Sequence, residues 1–488
     1  MRHGIAPEIG PRAARLVVAV ILIAAIAARA WALSIHGIVH PDEAFQYIEQ
    51  AHRLVFGYGI APWEYRYGMR SWLVPLLLAV PMKLGTQAGA AWPEPLLFAR
   101  ILVAVIAFAA VPAAWAIGRR TSRLHAAVAV AVIGLWYESV YFSVHVLTEV
   151  LATAAFLSGA AAIIAGRGRR GADLAAGALM ALTVILRFHY GPAVAVFLVI
   201  ALRLDRRRWT SIAIGALPML AIGAIVDMAM GGMPFGWIVE NFRQNIVRDR
   251  ASGFGVAGPF AYFNHVWVQW NVAIVPILLF AGLGARRQPA LAAAALVNLL
   301  IHMAIAHKEP RFIFLTTQVT LLLAALGSVD YARRALPRWS GGAIGTLTIG
   351  GWLAASLLLA TVGRSAPDWR PNESGYLLAS IAGRDPATCG IADQDISYGL
   401  VGGYAFVHRP VALYYPVWDK PGGGFGFSAA GAPAWNRLIA RRDSPVPAGY
   451  AALACHGELC LYRRSGGCVE NPAARATRLQ TVLERNGD

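Results

Sequence analysis

The sequence predicts an all-α polytopic membrane protein, and three observations predict it. Of 488 residues, 57% are hydrophobic and only 14% charged, with a mean hydropathy of +0.53, whereas soluble domains carry about 25% charged residues. Apolar runs close to the ~20 residues needed to cross hydrocarbon recur along the chain. Between them, arginines gather in short loops: Arg119/Arg120/Arg123, Arg167/Arg169/Arg170, Arg206/Arg207/Arg208, Arg286/Arg287 and Arg333/Arg334/Arg338. That is the bias of cytoplasmic loops. It also accounts for the net charge of +17 without nucleic acid, because no basic stretch is interleaved with the aromatics that base stacking requires.

The first apolar run, about 16–33, follows Arg2, Arg12 and Arg15 and looks like a signal sequence. Its length, with the membrane-embedded remainder, predicts an uncleaved first helix. Further spans are expected near 97–118, 124–142, 146–166, 172–187, 190–204, 210–230, 270–284, 288–306, 312–329 and 342–363. A segment at 71–86 is broken by Pro75 and Pro81, and the total is about 11–12. Were 71–86 to cross fully, Arg119 and Arg120 would leave the cytoplasmic side, so a re-entrant or interfacial course fits equally.

Two regions outside the spans stand out. The 231–269 connection has aromatic and polar residues at helical spacing in its first half, which suggests an amphipathic helix lying on the membrane. The tail, 364–488, is rich in Gly and Pro, with short β-like runs at Tyr398–Val407 and Val411–Tyr415. It is expected to form a small extracytoplasmic α+β domain behind a membrane domain of residues 1–363. All four cysteines, Cys389, Cys455, Cys460 and Cys468, lie in it, as disulfides of an oxidising compartment would. Three pairings are open, and the spacing is poor for the competing zinc reading.

Chemistry concentrates in two places. The first loop, about 34–70, opens with His40-Pro41-Asp42-Glu43 and continues through Gln46, Trp63-Glu64-Tyr65 and Arg70. Carboxylates at a membrane boundary are costly and hence functional candidates. Asp42 and Glu43 point in different directions on any regular backbone, so one is expected to deprotonate an acceptor hydroxyl while the other orients a sugar or a cation. The bland alternative makes Asp42 a helix cap after Pro41. His307-Lys308-Glu309-Pro310-Arg311 sets three cations and an acid between two spans, on the face opposite the arginine loops. Lys308 as a point charge and Arg311 as a bidentate fork suit a phosphate. Arg187, His189 and Arg70 are further cations on that face, able to meet phosphate or to pair with Glu149 or Glu64. Asp227 reads as a capping residue. Nucleotide-binding loops and His-Glu-x-x-His are absent from the sequence, and Gly422–Phe427 reads as a flexible loop.

His40-Pro-Asp-Glu-Ala-Phe-Gln-Tyr, Gly57-Tyr-Gly, Trp63-Glu-Tyr, Arg70-Ser and the distal His307-Lys-Glu-Pro-Arg-Phe together resemble glycosyltransferase family 22, the mannosyltransferases of GPI-anchor and asparagine-linked glycan assembly. The likeness covers roughly residues 15–330. It implies a GT-C-like fold with an active site on the lumenal or periplasmic face. It also implies a polyprenyl-phosphate sugar donor, usually mannose, and inverting transfer to a lipid-linked glycan. Asp42 and Glu43 match the expected catalytic pair. On this reading Lys308, Arg311, His307, Arg70 and Arg187 hold the donor phosphate. His40, Gln46, Trp63, Glu64, Tyr65, Glu309 and His189 line the sugar and acceptor sites. No resident metal or cofactor is assigned, with a divalent cation left open. Abundant Ala and Arg with few Lys suggest a high-GC bacterium, hence its inner membrane. The rival from another class is a transporter or flippase for a lipid-linked sugar; against it, no internal repeat is visible and the charges sit at span ends. The whole reading requires the early acids and the late cations to share one cavity opening away from the cytosol.

Overall fold

The computed structural model describes residues 9–35, 37–394, 402–419, 425–427 and 429–485. Seven helical segments are long and apolar enough to cross a membrane: Pro11–Leu33, Glu94–Arg119, Thr148–Gly166, Arg206–Ala229, Ala261–Ala285, Pro310–Ala335 and Gly341–Thr361. Shorter apolar helices at Leu73–Gln87, Arg123–Leu135, Phe188–Leu202 and Pro289–Ala304 accompany them. Chain contacts divide the protein into two compact units, residues 1–32 with 103–368, and residues 33–102 with 369–488.

In the first unit the helices pack through small residues. A Cβ at Gly284 would run into the Leu323 carbonyl, and one at Gly327 into the Phe280 carbonyl. The backbones of Ile274–Ala285 and Phe314–Ala335 can therefore approach closely, as membrane helices do at small-residue contacts. The span expected at 124–142 breaks at Trp136, whose extended backbone separates Arg123–Leu135 from Tyr137–Phe142. The span expected at 270–284 starts nine residues earlier, at Ala261, because the second half of the supposed 231–269 loop is already helical. Its first half is the helix Gly236–Phe242 followed by a π turn, Arg243–Val247. Asn241 and Gln244 are buried there, while Val239, Phe242, Ile246 and Val247 are exposed. That apolar-out pattern suits a segment facing lipid.

In the second unit, Leu73–Gln87 is an unbroken helix with Pro81 inside it. Its 15 residues reach ~22 Å, short of the ~30 Å hydrocarbon thickness. The tail forms a five-stranded sheet in the order β2-β1-β5-β7-β6, with β1 Gly390–Asp393, β2 Ala412–Tyr414, β5 Arg437–Arg441, β6 Tyr450–His456 and β7 Leu459–Arg464. Strands β2, β1 and β5 run parallel, while β5, β7 and β6 are antiparallel. A separate hairpin pairs β3 Val417–Asp419 with β4 Phe425–Phe427. The Gly422–Phe427 run expected as a loop thus ends in a strand, and its residues 422–424 lie outside the described residues. Disulfides join Cys389 to Cys468 and Cys455 to Cys460, leaving no free cysteine among the described residues. These pairings displace the zinc reading.

Of the β-like run Tyr398–Val407, residues 398–401 lie outside the described residues, and Tyr404–Val407 is a helical turn. The reason is electrostatic. Buried Glu49 accepts the backbone N–H groups of Tyr404 at 3.2 Å and Ala405 at 2.7 Å, satisfying donors that every helix start leaves orphaned.

Candidate active site

Residues 43–48 form a π-helical turn, entered from Asp42 and continuing into the helix Glu49–Phe56. Such wide turns recur at functional sites because they displace side chains from the regular 3.6-residue spacing. Here the turn separates the two acids. Asp42 keeps 22% of its side chain exposed, with one oxygen 3.7 Å from His40 Nδ1, and makes no side-chain cap. Glu43 is fully buried. Its Oε2 accepts the Val39 N–H at 3.1 Å, and its charge is felt by Arg100 and Tyr376. One carboxylate is reachable and the other is built into the wall.

Gln46, Glu64, Tyr65 and Arg70 form one network. Gln46 donates to Glu64 Oε1 at 2.7 Å, and the Tyr65 hydroxyl donates to the Gln46 carbonyl at 2.7 Å. Burial pushes the Glu64 carboxyl up to about 7, against the pull of Arg70 and with a further push from Asp42. Burial alone would lower Arg70, but Tyr47, Asp42, Glu64 and Tyr65 around it reverse the effect and raise it. A cation is therefore held beside the reachable acid. Trp63 is buried and meets Tyr67 edge-on at 6.2 Å, so its ring packs the loop. Arg100 anchors the wall by donating to the Ile35 carbonyl at 2.9 Å.

The distal constellation assembles within the other unit. Buried Glu149 lies 3.2 Å from Arg187 and 3.4 Å from Arg311, so two guanidiniums share one carboxylate. Arg311 also bonds Glu309 at 2.6 Å, and Glu309 takes His307 Nε2 at 2.9 Å. That bond to Glu309 raises the His307 pKa. Both guanidiniums lie over the Phe312 ring, at 4.7 and 5.2 Å, within cation–π range. Lys308 donates to the Ile305 carbonyl and sits 5.8 Å above Tyr262. Taking Arg187, Arg311 and Lys308 against Glu149 and Glu309, the cluster has one positive charge in excess before His307 is counted. His189 lines a neighbouring cavity of about 440 Å³ with Pro192, Asn241, Asn245 and Asp249. Asp227 does cap, accepting the Phe235 N–H at 2.8 Å. Among the described residues no group of three or more His, Cys, Asp or Glu is placed to hold a metal ion.

A family model described as the Alg9-like mannosyltransferase family matches residues 20–367, well over half the sequence. The chain belongs to the Alg9-like mannosyltransferase family. Among similar proteins, the GPI mannosyltransferase 3 of Yarrowia lipolytica is 26% identical over 323 residues, covering 63% of this chain and 61% of that protein. The match thus spans about three fifths of that relative's length. A shorter stretch of 58 residues is 47% identical to a mannosyltransferase of Arabidopsis thaliana, covering 12% of this chain and 11% of that one. In fold, the chain resembles the crystal structure of ArnT from Cupriavidus metallidurans bound to undecaprenyl phosphate. The TM-score is 0.58 at 12% identity, covering 91% of this chain and 97% of that one. This Alg9-like protein carries seven helices long and apolar enough to cross a membrane, in a fold like that of ArnT.

Three acids hold parts of this Alg9-like fold together in ways the sequence does not assign. Glu149, which the sequence offers as a partner for a single cation, takes two. Glu49 stands out in the sequence only as one more acid of the first loop, since two of its backbone donors, Tyr404 and Ala405, lie in the distant tail. Glu138 did signal, as an acid within an apolar run. Its Oε2 accepts the indole N–H groups of Trp136 at 2.8 Å and Trp270 at 2.7 Å, which explains why the helix breaks at Trp136.

Proposed function

We propose that this protein transfers a sugar, most simply mannose, from a polyprenyl-phosphate donor to a lipid-linked glycan or other acceptor outside the cytoplasm of a bacterium, inverting the anomeric centre. Asp42 is the general base. The single observation that supports this most is the asymmetry of the acid pair: Asp42 is reachable, whereas Glu43 is buried and tied to the Val39 N–H. A base must come within hydrogen-bond reach of the attacking oxygen, and only a reachable carboxylate can.

In the proposed step the acceptor hydroxyl gives its proton to Asp42 as its oxygen attacks the anomeric carbon. The bond from that carbon to the phosphate oxygen breaks on the opposite face, and the electron pair leaves with the polyprenyl phosphate. One displacement inverts the centre, by the logic that separates inverting from retaining glycosidases. The leaving phosphate is a stable anion, so the protein supplies cations rather than an acid. Arg187 and Arg311, arrayed on Glu149, with Lys308 and His307, are assigned to it. Arg70 holds charge beside the base, and the Gln46–Glu64 bond shapes the acceptor side.

The test supplies purified protein with radiolabelled polyprenyl-phosphate mannose and a crude lipid acceptor fraction. Labelled glycolipid product supports the proposal. Movement of the intact donor across reconstituted vesicles, with no covalent change, would instead establish the transporter reading.

A further inference from the structure

In the first unit, a cavity of about 340 Å³ opens among the helices Ile274–Ala285, Phe314–Ala335 and Gly341–Thr361 and reaches the Arg333–Arg338 loop at Leu336. Its walls include Ile277, Phe280, Tyr331, Leu347 and the indoles of Trp136 and Trp352. Both indole N–H groups are already used, Trp136 on Glu138 at 2.8 Å and Trp352 on the Ser328 hydroxyl at 3.1 Å. The rings therefore turn apolar faces to the space. An apolar cavity of this kind gives water nothing to bond and accepts hydrocarbon.

Charge identifies the hydrocarbon's other end. Arg286 follows the helix bearing Phe280, and Arg334 and Arg338 flank Leu336, which lines the cavity. All three arginines are exposed and make no ion pair among the described residues, whereas their neighbour Arg287 is taken by Asp330 at 2.5 Å. Exposed Trp339 sits in the same turn, where indoles mark the bilayer interface. Arg311 lies at the opposite end of this same helical run, Pro310–Ala335, roughly 30 Å away by helical rise. The cavity is thus distinct from the cluster assigned to the donor phosphate.

We infer that this cavity holds one acyl chain of an anionic glycerophospholipid, with Arg286, Arg334 and Arg338 on its phosphate-bearing headgroup. Basic sites between membrane helices on the arginine-rich side are suited to such headgroups. The occupant stays through turnover and braces the three helices.

Native mass spectrometry of the full-length protein, released from membranes of equal phosphatidylglycerol and phosphatidylcholine, tests this. One retained phosphatidylglycerol per chain is expected, with a preference falling about fivefold for each arginine changed to Gln. Gly351 lines the cavity and a Cβ there would meet nothing, so Gly351→Leu fills the space and should abolish retention. Ala355→Leu, on the same wall, serves should the first variant not fold. Equal retention of the two lipids, or undiminished retention in a folded cavity-filled variant, overturns the inference.

Discussion

Asp42 and Glu43 are adjacent in sequence and unlike in surroundings, so their substitutions should fail in different ways. Glu43→Ala removes a buried acceptor from the Val39 N–H and leaves Arg100 without its nearby opposite charge. It should destabilise the loop by about 3 kcal/mol, seen as a lower Tm with transfer lost in proportion. Glu64 makes a pH prediction. Burial raises its carboxyl from 4.5 to about 7, so the folded protein keeps a proton that the unfolded chain releases. That contribution to stability is complete below about 4.5 and disappears as pH climbs through 7. Glu64→Gln still accepts from Gln46 and cannot ionise. The decline in Tm of the parent between pH 5 and 8 should therefore flatten in the variant, by at most about 3 kcal/mol. A decline that is unchanged in the variant would place its origin elsewhere. These residues were legible because acids and cations at span ends are conspicuous against an apolar background. That Glu43 is buried while Asp42 stays reachable was not, since it depends on a π turn that no residue pattern announces.

At the scale of elements, the tail is held to the first loop by Glu49, which accepts Ile60, Tyr404 and Ala405 N–H groups. Glu49→Ala leaves those donors buried and unpaired, at about 1–3 kcal/mol each. Amide exchange at Tyr404 to Val407 should rise sharply while Phe314–Ala335 stays protected; equal protection in both would refute the anchoring role. The Cys389–Cys468 bridge closes a separation of 79 residues, long enough to be worth roughly 4 kcal/mol to the tail. Replacing both cysteines by Ser should lower the unfolding temperature of the sheet. Apart from those expected at 124–142 and 270–284, the apolar spans were legible to within a turn or two of their ends because length and hydropathy alone define them. The helical turn at Tyr404 was hidden because a carboxylate remote in sequence, rather than local propensity, secures it. The earlier start at Ala261 was hidden because polar Asn264, His265 and Gln269 dilute the apolar signal there.

At the scale of the whole molecule, the proposed transfer needs a base and a phosphate-binding cluster acting in one reaction, and each should fail independently of folding. Arg311→Gln should weaken donor use, with Arg187 left on Glu149 to keep the helices together. Its KM for the donor should rise more than kcat falls, by one to two orders of magnitude for a charge-assisted phosphate contact. The most direct measurement is transfer of labelled mannose from polyprenyl phosphate by Asp42→Asn, beside donor binding by the same purified protein. The account predicts a loss of transfer of roughly 10²–10⁴-fold with donor affinity and Tm unchanged. Turnover at the parent rate in Asp42→Asn would contradict it.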